Sequence, residues 1–188
     1  MSTASDIPEA ERRLAAFLDG LGIRPARHAH PPLRTVEESR ALRGAIPGVH
    51  VKNMFLTDRD GALVLVTCRE DRRLRIGDLA RQIGTRRLSF ASPALLARHL
   101  GVAPGAVTPL AVVNDPARAV RVVLDAQMMQ AELIACHPLH NVATVVLTPA
   151  ELMRVFAATG HRPQMVDFDA LAAQAAAAAL APGTAASK

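Results

Sequence analysis

The sequence has 188 residues, half of them hydrophobic, and its 22 Lys and Arg against 17 Asp and Glu give a formal net charge of +5. This length suits one domain with a sizeable core, and the longest apolar runs fall far short of the roughly 20 residues that a membrane span needs. The first residues lack the charged-then-apolar order of a signal peptide, so we expect a cytoplasmic location and no membrane partner. The basic excess favours contact with a polyanion, although a GC-rich genome also enriches arginine.

The first half of the chain predicts alternating helices and strands. A helix begins near Asp6 and is broken by Gly20 and Gly22, and the proline-rich segment HAHPPLR that follows must be extended. A capping box of Thr35 and Glu38 predicts a second helix, which ends before GAIPG. The runs VKNMFLT and ALVLVTC, separated by DRDG, then predict an antiparallel hairpin.

Well-marked helix ends organise the second half. IGDLARQIG predicts a short helix, RLSF a strand, and SPALLARHLG a helix with Ser92 as N-cap and Gly101 just past its end. LAVVN and AVRVVLD, joined by the turn NDPA, predict a second hairpin-like pair, and ELIAC and ATVVL predict two more strands. The capping box of Thr148 and Glu151 predicts a helix that runs to Gly160, and QMVDF predicts a last strand.

These elements predict an α/β fold in which helices surround a mixed, largely antiparallel sheet, because the strands come in hairpins and not in strict βαβ units. We assign residues 1–168 to one domain. Residues 169–188 are compositionally simple and alanine-rich, which predicts a C-terminal helix or tail with a frayed end. The two cysteines, Cys68 and Cys136, lie in separate apolar runs without metal-ligand spacing, so we expect buried free thiols, no disulfide and no metal.

Two polar residues interrupt the predicted strand VKNMFL. Alternation places Asn53 with Phe55 on one face and Lys52 with Met54 on the other. A lysine with apolar neighbours usually extends its ammonium group to solvent, whereas the functional alternative is a cation held in a cleft to bind a phosphate or a carbonyl oxygen. If both residues contact one substrate, the strand must twist, bulge or end near this point.

Two other segments are candidate site elements. In CHPLHN, residues 136–141, Pro138 holds His137 extended, and the alternative is a structural histidine bonded to backbone. The segment GVAPGAVTP, residues 101–109, is either a plain loop or a rigid loop whose bare backbone approaches a substrate closely. The sequence contains no P-loop, GxSxG or HExxH motif, which disfavours the corresponding phosphate-loop, serine and zinc chemistries.

Four segments together resemble, in order and spacing, the free-standing prolyl-tRNA editing proteins of the YbaK-like aminoacyl-tRNA deacylase superfamily. They are VKNMFLTDRDG, LSFASPALLARHLGVAPGAVTPLAVVND, VRVVLDAQM and CHPLHNVATVVLTPAELMRVFAATGH. The resemblance covers about residues 12–168 and is greatest to the subgroup that removes alanine mischarged onto proline tRNA. It implies a mixed sheet surrounded by helices, and hydrolysis in trans of the aminoacyl ester without cofactor or metal.

The resemblance also implies roles for individual residues. The catalytic positions of the family match Lys52 and His137. The matching substrate-binding positions are Asn53, Gly101, Gly105, Pro109, Asn141 and Thr144. His140 fills a position that varies in the family pattern, so we do not count it as catalytic. The implied partners are tRNA(Pro) charged with a non-cognate amino acid and prolyl-tRNA synthetase.

In the mechanism that suits these residues, Lys52 orients the acceptor end and backbone amides of the glycine loop stabilise the developing oxyanion. Water attacks, with the free ribose hydroxyl as a candidate base, while His137 shapes the pocket and positions the substrate. Candidates for lining the amino-acid pocket are Met54, Val66, Leu110 and Met129.

Two alternatives stay open. One is a deacylase of Cys-tRNA(Pro) or another aminoacyl-tRNA, and the other is a non-catalytic module that docks on tRNA or a synthetase. A pure binder would not need Lys52, the glycine loop and His137 together, so their joint presence favours the enzyme. The arginine-rich segment 69–87 is a candidate tRNA surface in either case, although a solvated basic face is the more common explanation for such a run.

Overall fold

A mixed sheet organises the computed structural model, which describes residues 7–32 and 45–180. Within that part of the chain the strands are β1 (Ala26–Ala29), β2 (Val49–Thr57), β3 (Leu63–Arg69), β4 (Ser89–Phe90), β5 (Val120–Asp125), β6 (Ile134–Cys136), β7 (Ala143–Leu147) and β8 (Gln164–Val166). Their order is β1-β7-β6-β2-β3-β5-β8, and β4 pairs separately with β2. Four of the pairings among these strands are antiparallel and three are parallel, so the predicted mixed sheet is confirmed.

Five α-helices accompany the sheet in the described residues: α1 (Glu9–Gly20), α2 (Ile76–Gln82), α3 (Pro93–Leu100), α4 (Pro149–Thr159) and α5 (Phe168–Leu180). Ser92 caps α3 by accepting a hydrogen bond from a backbone N–H, and Thr148 and Glu151 form the predicted capping box of α4. Both helices end at a glycine in the left-handed conformation, as expected from the sequence. None of the helices described here is both long and apolar enough to cross a membrane.

The central strands are buried on both faces. Phe55 and Leu65 belong to a core that packs against α1, α3 and α4, on what we name the first face of the sheet. Leu56 and Val66 belong to a second core that packs against α2 and α5, on the second face. Because both faces are covered, these strands are almost continuously apolar, and any polar residue within them must find a partner inside the fold.

The predicted hairpin of β2 and β3 is confirmed, with an unbroken register from Val51 opposite Arg69 to Thr57 opposite Leu63. The second predicted hairpin is wrong, because LAVVN forms a 3-10 helix, Pro109–Asn114, and β5 pairs in parallel with β3. The letters LAVV are continuously apolar, and Leu110, Ala111 and Val112 are buried, so the run lacks the alternation that separates strand from helix. A proline in the first position, following a Thr108 cap, favours the helical turn.

Two predictions concern the ends of the described ranges. The helix predicted from Thr35 and Glu38 lies outside the described residues. The alanine-rich segment begins as helix α5, which is anchored through buried Phe168 and Leu171 in the core of the second face. The start of this segment therefore packs as part of the fold.

Candidate functional site

Strand β2 has different partners on its two edges. On one edge, residues 51–57 pair with β3. On the opposite edge, β6 pairs in parallel with residues 49–50 and β4 pairs with residues 56–57. Among the described strands, none pairs with residues 51–54 on this edge. We name this opening the β2 gap, and it contains Lys52 and Asn53.

His137 lies beside the same gap. Strand β6 runs parallel to β2, with Ala135 opposite His50, and it ends at Cys136. The pairing of β6 with β2 stops at Ala135 opposite His50, and His137 directly follows the end of β6. Lys52 lies two residues beyond His50 on β2, so both residues predicted to be catalytic come just past the point where β6 and β2 separate.

The His137 ring is held in one orientation by backbone. Its Nδ1 lies 3.1 Å from the carbonyl oxygen of Ala143, which can only accept, so Nδ1 donates. Burial lowers the pKa of His137, which favours the neutral ring at pH 7. In this tautomer Nε2 carries the lone pair, so it can accept a hydrogen bond from a substrate or a water molecule.

Thr144 joins this environment through His30. His30 Nδ1 is 2.9 Å from the carbonyl oxygen of Pro31 and must donate to it, so His30 Nε2 accepts from the Thr144 hydroxyl at 3.0 Å. The His30 and His137 rings lie 6.2 Å apart between centroids. His30 was not among the residues predicted from the sequence, and the available signal was the HAHPP segment, in which alternate histidines lead into prolines.

Lys52 lies on the second face, as alternation predicts. Its ammonium group donates to the backbone carbonyl of Arg72, in the turn after β3. An ammonium group has three donors, and among the described residues only the Arg72 carbonyl accepts from this one. Lys52 therefore meets the description of a cation held within the fold better than that of a side chain extended to solvent.

Asn53 lies on the first face and connects the glycine loop to the sheet. Its Nδ2 donates to the carbonyl of Val107 at 2.9 Å, and its Oδ1 accepts from the Thr67 hydroxyl at 2.8 Å. The β2 register shows no bulge here, so Lys52 and Asn53 point to opposite faces. Substrate contact by Asn53 stays a prediction, and the contact that the structure provides is loop support.

The glycine loop, residues 101–109, is anchored at both ends. Gly101 ends α3 with φ 63°, and a Cβ there would approach Asn114 Nδ2 to 2.8 Å. At the other end Pro109 is buried at the start of the 3-10 helix. Between them Gly105 has φ 86°, and a Cβ built on it would lie 3.8 Å from Asn141 Nδ2, so the structure brings these two predicted residues close together.

The loop that carries His137 and Asn141 is fixed to helix α1. His140 accepts from the Val142 N–H through Nδ1, so its Nε2 donates to the buried Glu11 carboxylate at 2.7 Å. Burial alone would raise the pKa of Glu11, but hydrogen bonds from Arg27 and His140 outweigh it and hold that pKa below its usual range. His140 thus anchors the loop, and no local sequence signal pointed to Glu11 as its partner.

The four candidates for the pocket lining do not form one wall. Val66 and Leu110 are both fully buried, but they belong to the cores of opposite faces. Met54 packs with the second core and Met129 with the first. A single amino-acid pocket therefore cannot use all four.

Ion pairs neutralise much of the arginine-rich segment. Acidic partners lie within 4 Å of four of its arginines, namely Arg69, Arg72, Arg81 and Arg86. No ion pair within the described ranges involves Arg73, Arg75 or Arg87. The same ranges contain no cluster of three His, Cys, Asp or Glu side chains that could hold a metal ion.

Comparison with known proteins gives consistent matches. Residues 30–155 match the model of the aminoacyl-tRNA editing domain. The chain is 39% identical over 163 residues to a prolyl-tRNA synthetase associated domain-containing protein of Danio rerio, covering 86% of this chain and 89% of that protein. It is 35% identical to the prolyl-tRNA editing protein ProX of Acetoanaerobium sticklandii, covering 81% and 94% of the two chains.

A solved structure is similar over nearly the same range. The crystal structure of a proposed trans-editing enzyme for prolyl-tRNA synthetase has a TM-score of 0.67 and 25% sequence identity, and the match covers 86% of this chain and 98% of that one.

Proposed function

The chain belongs to the family of aminoacyl-tRNA editing domains, and from this premise we propose that it is a trans-editing deacylase that hydrolyses the ester of Ala-tRNA(Pro). The observation that carries the proposal is the β2 gap, which contains Lys52 and Asn53, with the neutral ring of His137 directly after the end of β6 and the glycine loop bonded to Asn53. The names of two relatives, a prolyl-tRNA editing protein and a synthetase-associated protein, support tRNA(Pro) as the substrate and prolyl-tRNA synthetase as a partner. Such an activity belongs in the cytoplasm, where charged tRNAs are used.

The chemistry of the gap suits attack by water. The bond to Arg72 uses one of the three donors of the Lys52 ammonium, and within the described residues the others are available to bind the terminal phosphate or the ester carbonyl, where negative charge develops in the transition state. His137 Nε2 can accept a hydrogen bond from the attacking water or from the ribose, and so position it.

The two cysteines give no support to a covalent route. Burial raises the pKa of the Cys68 thiol to about 11 and that of Cys136 to about 12, so both are protonated at pH 7. A thiolate and not a thiol is the nucleophile in cysteine catalysis. Direct hydrolysis is therefore the simpler route through these residues.

Substrate preference within this class depends on the size of the amino acid. A small site excludes the larger proline ring by steric overlap, whereas it separates substrates that differ by one group by only about 1–3 kcal/mol. Alanine is therefore the proposed substrate, and cysteine and serine are the competitors to test.

The test is turnover of tRNA(Pro) charged with alanine, cysteine, serine or proline by purified protein. We expect fast loss of alanine, slower loss of cysteine and serine, and no loss of proline. Lys52→Ala should abolish most of the turnover. Arg118→Ala, at a position far along the chain from the β2 gap, is the folded control. A wild-type rate in Lys52→Ala would reject the central role of the lysine, and no turnover of any ester by wild-type protein would favour a binding module.

A further inference from the structure

The side chain of Arg72 is held by three separate segments. Its Nε donates to Asp125 Oδ2 at 3.1 Å, and its Nη2 is 3.3 Å from Gln127 Oε1. Its Nη1 donates to Asp169, in the first turn of α5. The guanidinium is therefore fixed by the end of β5, by the turn that follows it and by the C-terminal helix.

The main anchor of Arg72 is buried. The Asp125 side chain is fully buried, and it also accepts from the backbone N–H groups of Gln127 at 3.0 Å and Arg69 at 3.3 Å. A carboxylate that is removed from water in this way needs these donors, and it holds them in fixed geometry in return. The turn after β3 is thereby tied to β5 at both Arg69 and Arg72.

The backbone carbonyl of this same Arg72 is the acceptor for the Lys52 ammonium. Cys68, the cross-strand neighbour of Lys52, lies in the electrostatic field of Lys52, Asp125 and Arg72, so the four groups form one compact cluster. A shift of the Arg72 side chain would move the carbonyl that orients Lys52.

We propose that Arg72 is a positioning residue for Lys52 and that Asp169, at the start of α5, completes this device. Helix α5 lies beyond residues 30–155, the part of the chain that matches the editing-domain model. The C-terminal helix thus contributes to the site through Arg72 without touching the substrate. The test has two parts, a chemical labelling of Lys52 and a measurement of activity. Only the activity measurement rests on the proposed function.

The labelling arm uses the scarcity of lysine in this chain. Lys52 and Lys188 are its only lysines, so limited reductive methylation followed by mass spectrometry reports Lys52 with Lys188 as an internal reference. The hydrogen bond to Arg72 must break before the Lys52 amine can react. We expect Asp169→Ala and Arg72→Gln to raise the ratio of Lys52 to Lys188 labelling by about two- to tenfold, the range for loss of one hydrogen bond.

The matched control is Asp71→Ala. Asp71 lies in the same turn and receives two hydrogen bonds from Arg69, but it does not bond the Arg72 side chain. This variant breaks a comparable surface pair, so it should leave the labelling ratio at the wild-type value. Asp169 is half exposed, so Asp169→Ala keeps the test usable if Arg72→Gln fails to fold.

In the activity arm, Asp169→Ala should lower kcat on Ala-tRNA(Pro) by about two- to tenfold with little change in KM, because tRNA binding is kept while Lys52 is misplaced at the ester. Wild-type labelling ratios in both Asp169→Ala and Arg72→Gln would overturn the proposal, as would an equal rise in Asp71→Ala. If the ratio of Lys52 to Lys188 labelling rises in the variants but the wild-type protein hydrolyses no aminoacyl ester, the proposed function is rejected and the positioning role is kept.

Discussion

The two faces of strand β2 use their polar residue in different ways. On the first face, both ends of the Asn53 amide are bonded within the protein, to Val107 and Thr67. On the second face, Lys52 donates to the Arg72 carbonyl, which is its one acceptor in the part of the chain that the structure describes. Adjacent residues in one regular strand thus differ, with loop support by Asn53 and a proposed chemical role for Lys52, so a substitution should affect stability and activity differently at the two positions.

The largest expected effect is on activity, at Lys52. Lys52→Met keeps the length and apolar stem of the side chain but removes the cation, so we expect a loss of about 100-fold or more in single-turnover deacylation. Thermal unfolding should change little, by about 2 °C or less, because the lysine contributes one hydrogen bond. A large fall in melting temperature with retained activity would reverse the roles assigned to the two faces.

On the first face, Asn53→Ala should reduce stability. It leaves the Val107 carbonyl and the Thr67 hydroxyl without their partner, at a cost of about 1–3 kcal/mol in the free energy of unfolding. Urea denaturation measures this cost. Thr67→Val removes only one of the two bonds and keeps the shape of the side chain, so it should be milder, and a more severe effect of Thr67→Val would contradict loop support by Asn53.

A smaller effect on the same face is expected at Gly101, where the glycine loop begins. Gly101→Ala places a Cβ against the Asn114 amide at a positive φ, so it should lower the free energy of unfolding by about 1 kcal/mol or more. The matched control is Gly77→Ala in helix α2, where a Cβ has open space and should stabilise by about 0.5–1 kcal/mol. If both variants change stability in the same direction, the strain at Gly101 is not the cause.

Local signals predicted the β2–β3 hairpin and the caps of α3 and α4, because turn and cap chemistry is contained in a few neighbouring residues. The 3-10 helix was mistaken for a strand because a short, continuously apolar run has no readable period. The resemblance pointed to the residues around the β2 gap, but the gap itself depends on where two short strands pair with β2.

The partners of the residues around the site could not be predicted either, because they too depend on how distant parts of the chain assemble. His30 and Thr144 are 114 positions apart in the chain, and Arg72 and Asp169 are 97 apart. No local pattern encodes such contacts, which form only when the sheet and α5 assemble. One compositional signal was available, since Lys52 is one of only two lysines among 22 basic residues.

The smallest expected effect is the contribution of His137 to the pH dependence of stability. Burial lowers the pKa of His137 in the folded protein, so as the pH falls below about 6.5 the unfolded chain takes up this proton first. The contribution of His137 to stability is therefore complete above that pH, falls as the pH drops toward the lower folded value, and then levels off. Chemical denaturation of wild type and His137→Asn between pH 7.5 and about 5 measures it.

His137→Asn should lose less stability than the wild type over this range, because the buried group no longer titrates. His99→Asn makes the same substitution at a partly buried position of α3 and is the matched control for loss of an imidazole. A wild-type slope in His137→Asn would show that the ring is already solvated in the folded state. The ring would then be as available to bulk water as to a bound ester, and the site would lack the desolvation that the proposed chemistry uses.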